Sequence, residues 1–447
     1  MRINNIFFIN NILELAVPIG ISSMLGVLAI LINTAILGKT GQYNLYLLAL
    51  FLPVNYFQIA IFEAFRAPAL ALSSLHRQSQ DQEIFKNKII SLLIIASICI
   101  LAGALLFEFT QNSLVKIFNI PSIMTQEFII FTRDMLLTGI FICANYILNS
   151  LLYGRGRPRV AMYLSIATVV INCGLTYLLG VYYKLGVHGL VYATGFSNIV
   201  MTGITIFILN KLNIVNLKSW YKLPRSKYYL AVIIIITKIG SPVWFSYLVL
   251  FAGLVLFNKI LSYFGTSIVA GFGVAYRIQT LVVLPAISIG MAVAILINRF
   301  ISTGAAVQAQ KVLRAGIILS AAFYFFVSPL LYFFRINIIE FITQDYVTVS
   351  AAGSYLKYVA LSYIGLGPLL VFLIILDQTG SGVKSLGYSI ASFATEFIVG
   401  GSWALHKNNI HFFYVVIAAV NLSSLLLVIF ECFFNKKYLN NLSKVMP

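Results

Sequence analysis

Charge is scarce in this sequence. Only 9% of its 447 residues are Asp, Glu, Lys or Arg, and the acids number 12. A soluble domain carries about 25% charged and about 45–50% apolar residues. Here 60% are hydrophobic and the mean hydropathy is +0.96. Beyond about 250–300 residues a soluble chain divides into domains with polar surfaces, and this composition cannot supply them. Soluble enzymes and disordered chains are thereby excluded. Cysteine is nearly absent. Cys99, Cys143, Cys173 and Cys432 are scattered without a CxxC spacing, which excludes a disulfide scaffold and offers no metal-ligand set. The four histidines do not cluster, and His406 and His411, flanking a short turn, suggest no metal site. No phosphate loop of the form G-x-x-x-x-G-K-[ST] occurs, so any work done must draw on an ion gradient. Nor do His, Asp and Glu gather as a membrane-embedded transferase would need. The chain is expected to be no enzyme, with no catalytic residues and no cofactor.

What is abundant is long apolar helix. About 20 apolar residues cross a bilayer, and twelve segments qualify: roughly 13–37, 44–75, 88–109, 125–153, 159–180, 186–210, 231–263, 268–300, 309–334, 348–376, 384–405 and 410–434. The first has no small-residue cleavage site and is read as a span rather than a removable signal. None shows the alternating ten-residue pattern of a membrane barrel. The fold expected is an all-α polytopic membrane protein.

The net charge of +18 would suggest nucleic acid on a soluble protein, but here the cations sit mainly in short connections. Twenty lie on one side: Arg2, Arg77, Lys86, Lys88, Arg155, Arg157, Arg159, Lys211, Lys218, Lys222, Arg225, Lys227, Lys238, Arg299, Lys311, Arg314, Lys384, Lys436, Lys437 and Lys444. Five lie on the other: Lys39, Lys116, Lys184, Arg335 and Lys407. The positive-inside rule then puts both termini in the cytoplasm. The expected setting is a bacterial cytoplasmic (inner) membrane. The partners expected are the lipid bilayer, a small-molecule substrate and a coupling cation, with no nucleic acid and the chain a monomer.

The longest polar stretch between spans divides the chain into a six-helix lobe at 1–210, a cytoplasmic linker at 211–230 and a second six-helix lobe at 231–447. One offset of 224 residues carries Pro18 onto Pro242, Gly41 onto Gly265, Gly156 onto Gly380, Ser165 onto Ser389, Thr168 onto Ser392 and Asn172 onto Glu396. Repeats of an even number of spans are parallel, related by a pseudo-two-fold axis along the membrane normal. That is an arrangement expected of an alternating-access transporter.

Several stretches now resemble the multidrug and toxic compound extrusion (MATE) family, within the wider superfamily that includes oligosaccharide flippases. They are Leu15-Ala16-Val17-Pro18-Ile19-Gly20 with Leu37-Gly38-Lys39-Thr40-Gly41; Leu152-Tyr153-Gly154-Arg155-Gly156-Arg157-Pro158; and Lys238-Ile239-Gly240-Ser241-Pro242 with Val274-Ala275-Tyr276-Arg277-Ile278. The resemblance runs over nearly the whole chain. It implies export of small organic molecules by antiport against protons or sodium; the alternative is a lipid-linked oligosaccharide flippase. It also implies a first-lobe cation site with an acid in helix 1 and an Asn–Asp pair in helix 5. This sequence has Asn33 in helix 1, and Asn172 with Thr176 in helix 5. The family's multidrug branch places second-lobe acids inside helices 7 and 10. Helix 7 has none, and helix 10 has only Asp377 at its end.

Helical spacing groups the intramembrane polar residues into stripes. Ser165, Thr168, Asn172 and Thr176 make one in helix 5, and Ser385, Ser389, Ser392 and Glu396 repeat it in helix 11. Hydroxyls on such stripes can bind helices together, whereas a mid-bilayer acid such as Glu396 is a candidate for function. Lys357, at similar depth in helix 10, is its expected partner, either in coupling or in a static ion pair. Asn55, Gln58 and Arg66 in helix 2, with Arg277 in helix 8, are candidate substrate contacts. Glu63 stands three residues before Arg66, so that pair could instead neutralise itself. Arg66, Arg277 and Lys357 lean toward anionic or zwitterionic substrates such as chelators. Pro18 and Pro242 are hinge candidates.

Overall fold

The computed structural model describes residues 2–76, 82–117, 120–215, 224–343 and 345–434. Arg77, Lys218, Lys222, Lys436, Lys437, Lys444 and the 216–223 part of the middle connection lie outside them. Helices dominate, with no strand among the described residues, as lipid requires of backbone that must satisfy its own hydrogen bonds.

Among the described residues twelve long helices follow in order: α1 (Arg2–Gly38), α2 (Gln42–Leu75), α3 (Gln82–Ile117), α4 (Ser122–Gly154), α5 (Pro158–Tyr182) and α6 (Gly186–Lys211), then α7 (Ser226–Tyr263), α8 (Thr266–Ser302), α9 (Ala306–Phe333), α10 (Tyr346–Gln378), α11 (382–407) and α12 (His411–Phe433). A short helix, Arg335–Ile342, precedes α10. Among the described residues, eleven of the long helices are both long and apolar enough to span a bilayer. The exception is α11, the helix that carries Ser385, Ser389, Ser392 and Glu396. Its polar stripe lowers its hydropathy while leaving it helical.

The repeat reappears in backbone conformation. Gly41 and Gly265, at the starts of α2 and α8, have φ of 120° and 119°. Gly156 and Gly380, in the turns after α4 and α10, have φ of 78° and 83°. Side chains disfavour all four conformations, so glycine is required at each repeat-equivalent turn.

The chain packs into two compact units. One comprises Ile21–Trp244; the other comprises Met1–Gly20 with Phe245–Pro447. The divisions therefore fall inside α1 and α7 rather than in the middle connection, each two residues beyond a proline, Pro18 and Pro242. These helices have 37 and 38 residues, or about 55 Å at 1.5 Å each, more than a bilayer core needs. In α7 a π-helical turn, Ile236–Gly240, immediately precedes Pro242. Proline lacks the amide that would bond one turn back, and a widened turn is one way a helix absorbs that loss.

In the Ile21–Trp244 unit, α4 packs between α2 and α6, and the start of α7 lies against α2 and α3. That approach is close. A Cβ on Gly240 would run into the Ala64 carbonyl and crowd Pro68. The apolar centre includes Leu37, Phe51, Phe107, Phe128, Phe131 and Val191. In the other unit α8 is central, with α9 and α10 against it and α12 against α10. Phe8 of α1 meets Phe300 of α8 edge to face, with centroids 6.3 Å apart. Small residues allow α8 its neighbours: a Cβ on Gly290 would press on Ile374 of α10. Lipid removes the hydrophobic drive between helices, so association rests on such close packing and on hydrogen bonds.

Candidate functional site

Two polar centres stand out, one in each unit. In the Ile21–Trp244 unit, Asn33 of α1 donates Nδ2 to Asn172 Oδ1 of α5 at 2.7 Å. Asn172 donates in turn to Thr194 Oγ1 at 3.1 Å and Ser197 Oγ at 3.4 Å, both on α6. Asn198, one turn from Thr194, donates to the Thr194 carbonyl at 2.8 Å. Its own carbonyl and Oδ1 receive Asn145 Nδ2 from α4 at 3.1 and 2.8 Å. Four helices are thus joined by one neutral network of amides and hydroxyls. Asn33 Oδ1 and Asn145 Oδ1 remain as buried acceptors without a partner.

Thr176 behaves differently from its stripe partner. It is fully buried and donates to the Asn172 carbonyl at 2.8 Å. Ser165 and Thr168 likewise bond to carbonyls one turn earlier in α5. Thr168 and Thr176 thereby serve their own helix rather than a neighbour. Asn145, Thr194, Ser197 and Asn198 were not among the sequence candidates. Their signal was present as i, i+4 spacing: Asn145 with Asn149 in α4, and Thr194 with Asn198 in α6.

The α2 candidates separate. Gln58 is 2% exposed and donates to the Met135 carbonyl of α4 at 3.1 Å. It lies over Gly139, where any Cβ would overlap its amide. Gln58 is therefore a packing contact between α2 and α4 and lines no open space. Asn55 is half-buried. Arg66 turns to Glu63 on its own helix, with Nε at 2.7 Å and Nη2 at 2.6 Å from the same carboxylate oxygen. The self-neutralising pair that the spacing allowed is formed.

In the second unit Glu396 opens a π-helical turn, Glu396–Gly400, inside α11. It is 7% exposed and makes no hydrogen bond or ion pair among the described residues. Its carboxylate is electrostatically close to Tyr355. Tyr355 and Tyr363 of α10 both donate to Gln279 Oε1 of α8 at 3.2 Å, and Tyr355 packs edge to face on Phe272 and Tyr414. Phe257, Phe393 and Phe413 continue the aromatic wall. Lys357 lies on an exposed face of α10 and forms no ion pair with Glu396. Arg277 is exposed on α8. The long, flexible Lys357 side chain was placed by depth alone; helical phase turns it from the acid. π turns are enriched at functional positions, and a lone intramembrane carboxylate is a functional position by default.

Known proteins show what this arrangement is similar to. Residues 242–400 match the MatE family model. The probable multidrug resistance protein NorM of Thermotoga maritima is 23% identical over 56% of this chain and 53% of its own length. The multidrug export protein MepA of Staphylococcus saprophyticus is 29% identical over 33% of this chain and 32% of its own. The chain thus spans between about a third and under two thirds of the length of the curated relatives it matches. In structure, the Vibrio cholerae MATE transporter VcmN superposes with a TM-score of 0.90 at 17% identity, covering 98% of this chain and 99% of that one. A MOP-superfamily transporter from Pyrococcus furiosus gives 0.85 at 18% identity, over 97% and 96%. At such identities these superpositions speak to fold. Joined to the family match over residues 242–400 and to the repeat-equivalent turns, they show a chain with the fold of MATE transporters and similar to that family in its second half.

Proposed function

We propose that this chain is a secondary active exporter, moving small organic molecules out of the cytoplasm by antiport against protons or sodium through alternating access of its two lobes. Relatives named for multidrug resistance and export support the direction and the class of cargo. The observation that carries the coupling assignment is Glu396: a buried carboxylate with no counter-ion among the described residues, on a π-helical turn, at the repeat equivalent of Asn172. Keeping such a group charged is costly, so a rearrangement that changes its contact with water changes whether it holds a proton. In the other lobe the equivalent position is the neutral Asn172, which together with Asn33 and Thr176 can hold a cation only through oxygen lone pairs. Charge preference for the cargo rests on Arg277, since Glu63 matches the charge of Arg66. The flippase alternative asks for an unpaired cationic interior, and the Glu63–Arg66 pair weighs against it.

The test is uptake by inside-out vesicles under an imposed proton or sodium gradient, over a panel of charged compounds. Wild type should accumulate at least one compound only when a gradient is present. Glu396→Gln should keep protein level and substrate binding while losing gradient-driven uptake. Uptake by Glu396→Gln at the wild-type rate would remove Glu396 from the coupling step.

A further inference from the structure

In the second unit α8 and α10 share a polar clamp that the first unit lacks. Tyr355 and Tyr363 of α10 are buried, and both donate their hydroxyls to one atom, Gln279 Oε1 of α8, at 3.2 Å each. They converge on it from either side of a short 3₁₀ stretch, Ala360–Ser362, that interrupts α10. Moved back by 224 residues, Gln279 falls on Asn55, Tyr355 on Phe131 and Tyr363 on Gly139. Phe131 carries no hydroxyl and belongs to the apolar centre of its unit, and Gly139 lies under Gln58. No phenol stands at either position of the clamp in the first unit.

The two phenols occupy both lone pairs of Gln279 Oε1, which sets which end of the amide is which. The two N–H donors on Nε2 meet no acceptor among the described residues. Gln279 is half-buried, and its nitrogen is not sealed within the helix packing.

Amide donors inside a membrane helix are costly to leave without an acceptor. A donor already held in one orientation gains most from an incoming acceptor, because its ordering is complete before binding. We propose that Gln279 Nε2, positioned by Tyr355 and Tyr363, recognises a carbonyl oxygen of the cargo. This rests on the export reading above and gives the cargo a chemical class: small organic molecules that carry a ketone, ester or amide. Glu396 is electrostatically close to the same Tyr355, so cargo seated on Gln279 lies one phenol ring from the acid assigned to coupling. An amide donor asks for no charge on its partner. The contact therefore adds to any charge preference from Arg277 and does not depend on it.

Equilibrium binding of two matched probes to the purified full chain in detergent tests this: para-acetylphenyl-trimethylammonium and para-ethylphenyl-trimethylammonium. They differ by a carbonyl in place of a methylene, and the quaternary ammonium they share accepts no hydrogen bond. Wild type should bind the acetyl probe about fivefold more tightly, the net worth of one hydrogen bond. Gln279→Met should bind the two probes equally. That variant strands two buried hydroxyls, so it is paired with the triple variant Gln279→Met/Tyr355→Phe/Tyr363→Phe, which removes donors and acceptor together and should fold. The triple variant should also bind the probes equally. Tyr355→Phe with Tyr363→Phe, Gln279 kept, should narrow the preference by weakening the acetyl probe alone. The proposal fails if wild type binds neither probe or does not distinguish them, or if Gln279→Met or the triple variant keeps the preference. A full preference in the double tyrosine variant would overturn the positioning role of the phenols. No gradient enters this measurement. Loss of gradient-driven uptake would overturn antiport and leave the probe preference standing, whereas equal binding would overturn the carbonyl contact and leave antiport standing.

Discussion

Arg66 shows how one neighbour decides what a charged side chain can do. With side-chain exposures of 17% for Arg66 and 11% for Glu63, neither charge is well hydrated, and each offsets the other's burial. Removing one partner of such a pair typically costs about 3 kcal/mol or more, because the survivor stays buried and unpaired. Replacing both with neutral groups of similar shape is far milder. Arg66→Gln should therefore lower thermal stability markedly, and Arg66→Gln with Glu63→Gln should restore most of it. Export should follow the same pattern if the pair is structural. A double variant that is stable, yet discriminates against anionic cargo relative to wild type, would return Arg66 to the substrate contacts.

At the scale of the element, α1 and α7 are the unusual helices. Each carries a proline, and each contributes to both compact units, with the division two residues further on. An interior proline removes one backbone bond and bends or loosens the helix locally, and α7 adds a π turn just before it. Helices whose two ends belong to different packing units must flex if those units move. Restoring the missing backbone donor should stiffen them at no loss of fold. Pro18→Ala and Pro242→Ala are expected to unfold at or above the wild-type temperature while export slows, with the double variant slowest. Wild-type export from the double variant would show these prolines to be static kinks.

For the whole molecule, orientation follows from the twenty-to-five split of basic residues. In a background freed of the four native cysteines, single cysteines at Thr40 and Lys407 should react with an impermeant thiol reagent from outside intact cells. One at Ser226 should not. Thr40 and Lys407 belong to the turns after α1 and at the end of α11, and Ser226 begins α7, so all three test the ends of helices rather than their interiors. Labelling of Ser226 in intact cells would invert the assigned topology. The exposed native Cys99 on α3 must go first, whereas Cys143 and Cys432 are buried.

Membrane residence, helix number, the repeat and its glycine turns were all legible in the sequence, because each depends on local quantities. Hydropathy sums over one segment, and a positive φ at Gly41 or Gly265 is demanded by the turn itself. The Asn33–Asn172 meeting was foreseeable as a pair of positions. Its extension through Thr194 and Ser197 to Asn198 and Asn145 was not, since those residues come from helices whose relative rotation no stripe specifies. The same uncertainty of rotation put Gln58 among substrate contacts, when packing places it on a carbonyl of α4, and paired Lys357 with an acid it does not face. Tertiary structure alone decided which polar groups were matched and which were left over. Among the described residues, Glu396 was left without a hydrogen-bond or ion-pair partner, and Asn33, Asp377, Gln378 and Ser385 each kept a buried polar atom that no neighbouring helix matched.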